Sequence, residues 1–157
     1  MDVRYINPFV ESVRSVFSTM IKIDVELGKP RLTDPHAVAD ISGIIGMSGD
    51  VVGAVVLSFP APVAKIVVGK FACADYPLES PDFADALGEI VNMISGAAKA
   101  KFDGKNVSIS TPSVVVGNGH TVTRPTRAVG ITLPCKVYCG EFTIDVAIRD
   151  EAVRAAA

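Results

Sequence analysis

Two apolar runs, residues 41–47 and 51–59, flank Ser48-Gly49-Asp50. A short polar turn with a central glycine between strand-like runs reverses the chain and pairs the runs antiparallel. The pattern returns near the end of the chain. Cys139-Gly140-Glu141 turns into residues 142–148, where Phe142, Ile144, Val146 and Ile148 alternate with Thr143, Asp145 and Ala147. Hairpins therefore dominate, and the expected sheet is largely antiparallel.

Helical signals fall between the strand signals. Asn7-Pro8 reads as an N-cap followed by a proline at the first helical position. Val10, Val13, Phe17 and Met20 then mark an apolar stripe to about residue 22. Residues 24–38 hold glycine, prolines and polar residues and read as a connector. Ala61-Pro62 opens a second helix carrying Val63, Ile66, Val67 and Phe71. Ser80-Pro81 opens a third, with an end expected near Asp103-Gly104. Residues 107–110 and 114–116 read as strands split at Thr111-Pro112, Gly117-Asn118-Gly119 as a turn, and 129–137 as a further strand. Arg124 and Arg127 read as solvated loop charges, and residues 149–157 as a frayed tail or short helix. The order gives one domain over 1–157 of the α+β class: a largely antiparallel sheet with packed helices.

Composition narrows the function. Hydrophobic residues make up 49% of the chain and mean hydropathy is +0.40. Either both sheet faces are covered or apolar surface is buried in an oligomer. A net charge of −2 and the absence of Trp leave neither a basic field nor a stacking platform for nucleic acid. The N-terminus lacks an apolar signal-peptide core, and the longest apolar run is too short to span a bilayer. Cys73, Cys135 and Cys139 read as free, buried thiols of a reducing cytosol. His36 and His120 are remote in sequence from any cysteine pair, so no metal site is expected. Gly43, Gly46, Gly49 and Gly53 are not followed by the Gly-Lys-Ser/Thr of a phosphate loop, and Ser48 lacks the flanks of a nucleophile elbow.

The third helix carries the functional clue. At 3.6 residues per turn, Asp85, Glu89, Asn92 and Gly96 fall within an arc of roughly 60°. Phe83, Leu87, Ile90, Val91, Ile94 and Ala98 take the opposite side. An amphipathic helix has a polar face in any case. Gly88 and Gly96, however, each cost about 1 kcal/mol relative to Ala inside a helix. Small residues there are expected to leave a flat surface where a partner backbone approaches the Asn92 amide. The first helix repeats the frame as Asn7, Glu11 and Arg14, a hint of internal duplication with Arg in place of Asn.

Gly88-Glu-Ile-Val-Asn92-Met, with Asp85 before it, resembles the Asp/Ser-x3-Glu-x2-Asn motif of the CheC/CheX/FliY family of chemotaxis phosphatases. The segment 109–117, with Pro112, and the hairpin around Gly46-Met-Ser-Gly-Asp50 are similar to the family as well. The resemblance spans nearly the whole chain. With one motif helix it lies closest to the CheX branch, and the copy at Glu11 and Arg14 is expected to be inactive. One departure is the spacing from Asn92 to Pro112, which is shorter than in the family's usual motif. The resemblance implies a cytoplasmic homodimer that dephosphorylates a CheY-like response regulator. It gives Asn92 the task of holding the attacking water and Glu89 that of docking to the regulator's lysine. Asp85, Gly88 and Gly96 would contact the partner. The chain itself would bind no cofactor, with Mg²⁺ expected in the partner regulator. Two other readings stay open: a non-catalytic module binding a response regulator or flagellar-switch component, and a structural oligomer whose polar stripe is only solvated.

Overall fold

The apolar hairpin forms as its sequence requires. A computed structural model describes residues 3–123 and 128–151, and in it strand β3 (Ala39–Gly49) pairs antiparallel with β4 (Val51–Phe59). β4 pairs on its other side with β8 (Gly140–Asp150), and β8 with β7 (Ile131–Val137). Two-residue strands β1 (Glu26–Leu27) and β2 (Arg31–Leu32) line the outer edge of β7. At the opposite end β5 (Val107–Ile109) and β6 (Ser113–His120) both pair with β3. Among the described residues the result is one eight-stranded sheet in which every pairing is antiparallel, as the hairpin signals imply.

Three helices cover one face of this sheet. α1 (Val3–Val16) is extended by a π-helical turn, Phe17–Ile21, and is followed by α2 (Ala61–Ala72) and α3 (Pro81–Lys99). Period-two alternation supplies the sheet side of the core: Ile41, Ile45, Val55, Leu57, Phe142, Ile144 and Val146 are all buried. Phe142 stacks on Phe17 and Phe59, with ring centroids 4.9 and 4.8 Å apart. Each such buried side chain contributes about 1.5–3 kcal/mol through the water it sheds.

Several boundaries depart from the sequence expectation. α1 starts before Asn7-Pro8, and Pro8 lies inside the helix. The missing proline N–H removes one helical bond, but continuing the helix buries Tyr5 and Ile6, and Tyr5 meets Phe102 edge-on at 5.2 Å. Tertiary burial overrides the local start signal. α3 stops at Lys99, before Gly104; the turns between them bury Phe102, and Gly104 takes a positive φ of 68° beyond them. Gly117-Asn118-Gly119 is strand rather than turn, because β6 continues until His120 pairs with Ala39; the irregularity is absorbed where Gly119 adopts a φ of 70°. The connector over 24–38 contains β1 and β2, held by backbone bonds that leave no hydropathy signature, such as Gly28 N–H to the Pro134 carbonyl at 2.8 Å. Arg149 and Asp150 complete β8. Arg124, Arg127 and residues 152–157 lie outside the described residues.

Candidate functional site

Ser80 and Pro81 set where α3 begins. The Ser80 hydroxyl accepts a hydrogen bond from the Phe83 N–H at 3.1 Å, and Pro81 occupies the first turn. From that start the helical period decides what each residue faces. Phe83, Leu87, Ile90, Val91, Ile94 and Ala98 are fully buried. Asp85 and Glu89 are exposed, and Asn92 and Gly96 are half-buried. The expected stripe is thus present on one rigid, tightly packed helix.

Its polar groups are uncommitted. Asp85, Glu89 and Asn92 make no hydrogen bond or ion pair among the described residues. A carboxylate and an amide one helical turn apart therefore face outward, with their donor and acceptor capacity open to a partner.

The glycines act differently from the expectation. Gly88 is buried, and a Cβ added there would lie 3.1 Å from Pro112 Cγ and 3.8 Å from Val114 Cγ2. What approaches Gly88 closely is a pair of side chains from this chain's own edge segment, so the surface expected to be open to a partner backbone at Gly88 is an internal packing contact instead. Gly96 is half-buried and more open: the nearest atom to an added Cβ is Ile109 Cδ1 at 4.0 Å. On the inner side Val91 packs over Gly43, where a Cβ would meet Val91 Cγ2 at 2.4 Å. Pro112 is named by the sequence resemblance, but its contact with Gly88 comes only from the fold.

α1 packs beside α3, and its equivalent residues meet a different fate. Asn7, Glu11 and Arg14 are exposed, but Glu11 forms an ion pair with Lys101, just beyond the end of α3. A cleft of about 380 Å³ opens on this side between α1 and residues 101–105, and no α3 residue lines it. It is the better-formed concavity, yet its Glu11 and Lys101 already neutralise each other.

The remaining reactive groups lie elsewhere. Cys135 is buried, and burial pushes its thiol up to about 12, so it stays neutral near pH 7 and is no nucleophile. Cys139 is half-buried and Cys73 is exposed, so only one of the three thiols expected to be buried is fully so. Among the described residues no group of three or more His, Cys, Asp or Glu is placed to hold a metal ion. Among them, too, no helix is long and apolar enough to cross a membrane.

The family model described as "Chemotaxis phosphatase CheX" matches residues 41–136, more than half of the chain. The crystal structure of a chemotaxis protein CheX from Desulfovibrio desulfuricans is 33% identical. The match covers 93% of this chain and 98% of that one, with a TM-score of 0.84. A CheC-like superfamily protein from Shewanella sp. PV-4 is 29% identical over 95% of this chain and 99% of its own, with a TM-score of 0.86. At 23% identity, the CheX of a CheX–CheY–BeF₃–Mg²⁺ complex from Borrelia burgdorferi shares the fold. That match covers 93% of this chain and 98% of the other, with a TM-score of 0.79. None of the curated proteins compared matches the chain. The structural likeness over nearly the whole chain and the family match over residues 41–136, which hold α2 and the motif helix, lead to one conclusion: this chain belongs to the CheX family of chemotaxis phosphatases.

Proposed function

We propose that the protein accelerates hydrolysis of the aspartyl phosphate of a CheY-like response regulator, with Asn92 and Glu89 as the residues it contributes. The observation that carries this reading is the pair itself: two polar side chains one turn apart on a rigid helix, with no partner among the described residues. The Borrelia CheX bound to CheY with BeF₃ and Mg²⁺ supports the class of partner. Beryllofluoride stands there for the phosphoryl group of the acyl phosphate.

The chemistry needs little more from this chain. The regulator brings phosphoaspartate, Mg²⁺ and a lysine. The Asn92 carbonyl oxygen accepts a hydrogen bond from water while its NH₂ group donates to a phosphoryl oxygen, which holds the water in line with phosphorus. Water attacks phosphorus, the bond to the aspartyl oxygen breaks, and a carboxylate and inorganic phosphate are released. Glu89 accepts a charge-assisted bond from the lysine and fixes the dock. Asp85, one turn earlier, and Gly96, one turn later, border the contact. No covalent intermediate forms on this chain, and its action on a cytoplasmic regulator places it in the cytoplasm.

The reading includes a homodimer built by sheet extension at β6. Among the described residues that strand pairs with β3 alone, and its Val115 and Val116 are 37% and 39% exposed. Sedimentation that gives a monomer at micromolar concentration would remove the dimer without touching the phosphatase. The phosphatase itself is tested by decay of the phosphorylated regulator with Mg²⁺, alone, with wild type and with Asn92→Ala. Wild type is expected to speed the decay and the variant to fail. Equal decay with both proteins sinks the mechanism, and phosphorylation-dependent binding without faster decay would support the non-catalytic binding module instead.

A further inference from the structure

The edge of the sheet beside α3 contains one residue too many. β5 pairs Ile109 with Met47, and β6 pairs Ser113 with Ile44. Residues 110–112 therefore face only residues 45 and 46 of β3. β5 and β6 are one strand broken by a one-residue bulge. Pro112 has no N–H to give to the ladder, and Ser110 compensates on both sides of the break. Its N–H donates to the Gly46 carbonyl at 2.9 Å, and its hydroxyl oxygen accepts from the Gly46 N–H at 3.0 Å. The same hydroxyl donates to the Thr111 carbonyl at 2.8 Å.

A one-residue shift exchanges the faces of a strand. Ile109 faces α3, against Gly96. Without the bulge, the period of two would next turn Thr111 and Ser113 toward the helix. With it, Pro112 and Val114 arrive there, and both meet the bare Cα of Gly88. Gly88 immediately precedes Glu89 and lies one turn before Asn92. On the inner side of the same helix Val91 sits on Gly43. The helix is held from the edge by a rigid ring and from below by a glycine socket, on the two sides of its polar stripe nearest the sheet.

We propose that the bulge at residues 110–112 is a positioning device for the proposed phosphatase site, with Pro112 as the stop against Gly88 that sets the height and rotation of α3. This rests on the reading of Asn92 and Glu89 given above and adds to it a pair that touches no substrate. A methyl at Gly88 would overlap the proline ring by a few tenths of an ångström, and that displacement would pass to Asn92 through a stiff helix. Misplacing a reacting group by about 1 Å costs on the order of a hundredfold, so a smaller shift should cost roughly three- to tenfold.

The test is a size-swap cycle read in two ways. Gly88→Ala adds the methyl, Pro112→Ala removes the ring, and the double variant exchanges one for the other. The maximal rate of regulator dephosphorylation is measured at saturation. Binding to a beryllofluoride-loaded regulator is measured separately, and the side-chain amide resonances of Asn92 are recorded without regulator. Each single variant is expected to lower the maximal rate by about three- to tenfold with binding changed less than about twofold. Each should shift the Asn92 resonances, and the double variant should return both toward wild type. Gly88→Ala also places a better helix former in α3, so its melting temperature should not fall in step with its rate. Pro112→Ala removes atoms and introduces no overlap, which keeps the cycle readable if Gly88→Ala folds poorly. Wild-type rates and unmoved resonances in both single variants would overturn the proposal, as would losses that simply add in the double variant. Resonances that move and recover while wild type fails to accelerate decay would uphold the positioning and overturn the phosphatase reading.

Discussion

α1 and α3 lie side by side and carry polar residues in the same frame, Asn7, Glu11 and Arg14 on one and Asp85, Glu89 and Asn92 on the other. On α1 the carboxylate is tied to Lys101 of the same chain. On α3 the carboxylate and the amide are bound to nothing among the described residues. The difference teaches that an equivalent spacing is not an equivalent site. A carboxylate whose docking partner is to be a lysine of another protein must be left without a lysine of its own. On α1 that partner is already supplied from within, and the guanidinium of Arg14 has donors only, so it cannot accept from an attacking water.

The contrast can be attacked in order of expected effect. Asn92→Ala should reduce the acceleration of regulator dephosphorylation by about a hundredfold or more, since the variant lacks the amide proposed to position the water. Its melting temperature should stay near that of wild type, because the side chain makes no hydrogen bond among the described residues. Glu89→Ala should weaken binding to the beryllofluoride-loaded regulator by roughly tenfold or more, the loss of about 1.5–3 kcal/mol from a charge-assisted bond. Asp85→Ala should lose about two- to threefold in the same titration, a range typical of a single exposed charge pair of a few tenths of a kcal/mol. Raising the salt should diminish both effects. Glu11→Ala should change neither rate nor binding by more than about twofold. Since Glu11 and Lys101 are both well exposed, denaturant unfolding should register a change of about 1 kcal/mol at most. If Glu11→Ala were to match Glu89→Ala in binding, the asymmetry between the helices would collapse.

Much of this was legible along the chain because its causes are local. The apolar hairpin around Gly49, the Ser80-Pro81 start of α3 and the outward Asp85-Glu89-Asn92 arc follow from period, capping and turn chemistry within a few residues. The errors fall where distant groups intervene. Pro8 reads as a helix start until Phe102 arrives to bury Tyr5. Gly117-Asn118-Gly119 reads as a turn until β3 offers a strand to pair with. Gly88 reads as an opening for a partner until Pro112 is found in it.

The sequence by itself determined which elements form, which face of α3 is apolar, and which polar side chains that helix turns outward. Hydrophobic period and capping are encoded in neighbours, and neighbours are what a sequence displays. Only the tertiary structure decided which of the two similar faces remains open and what holds it in place. Lys101 reaches Glu11 across 90 residues of chain, and the bulge that turns Pro112 onto Gly88 exists only in the register of β5 and β6 against β3. Ion pairs between distant residues and one-residue shifts of register leave no period in the sequence. They are set when the sheet and helices pack together.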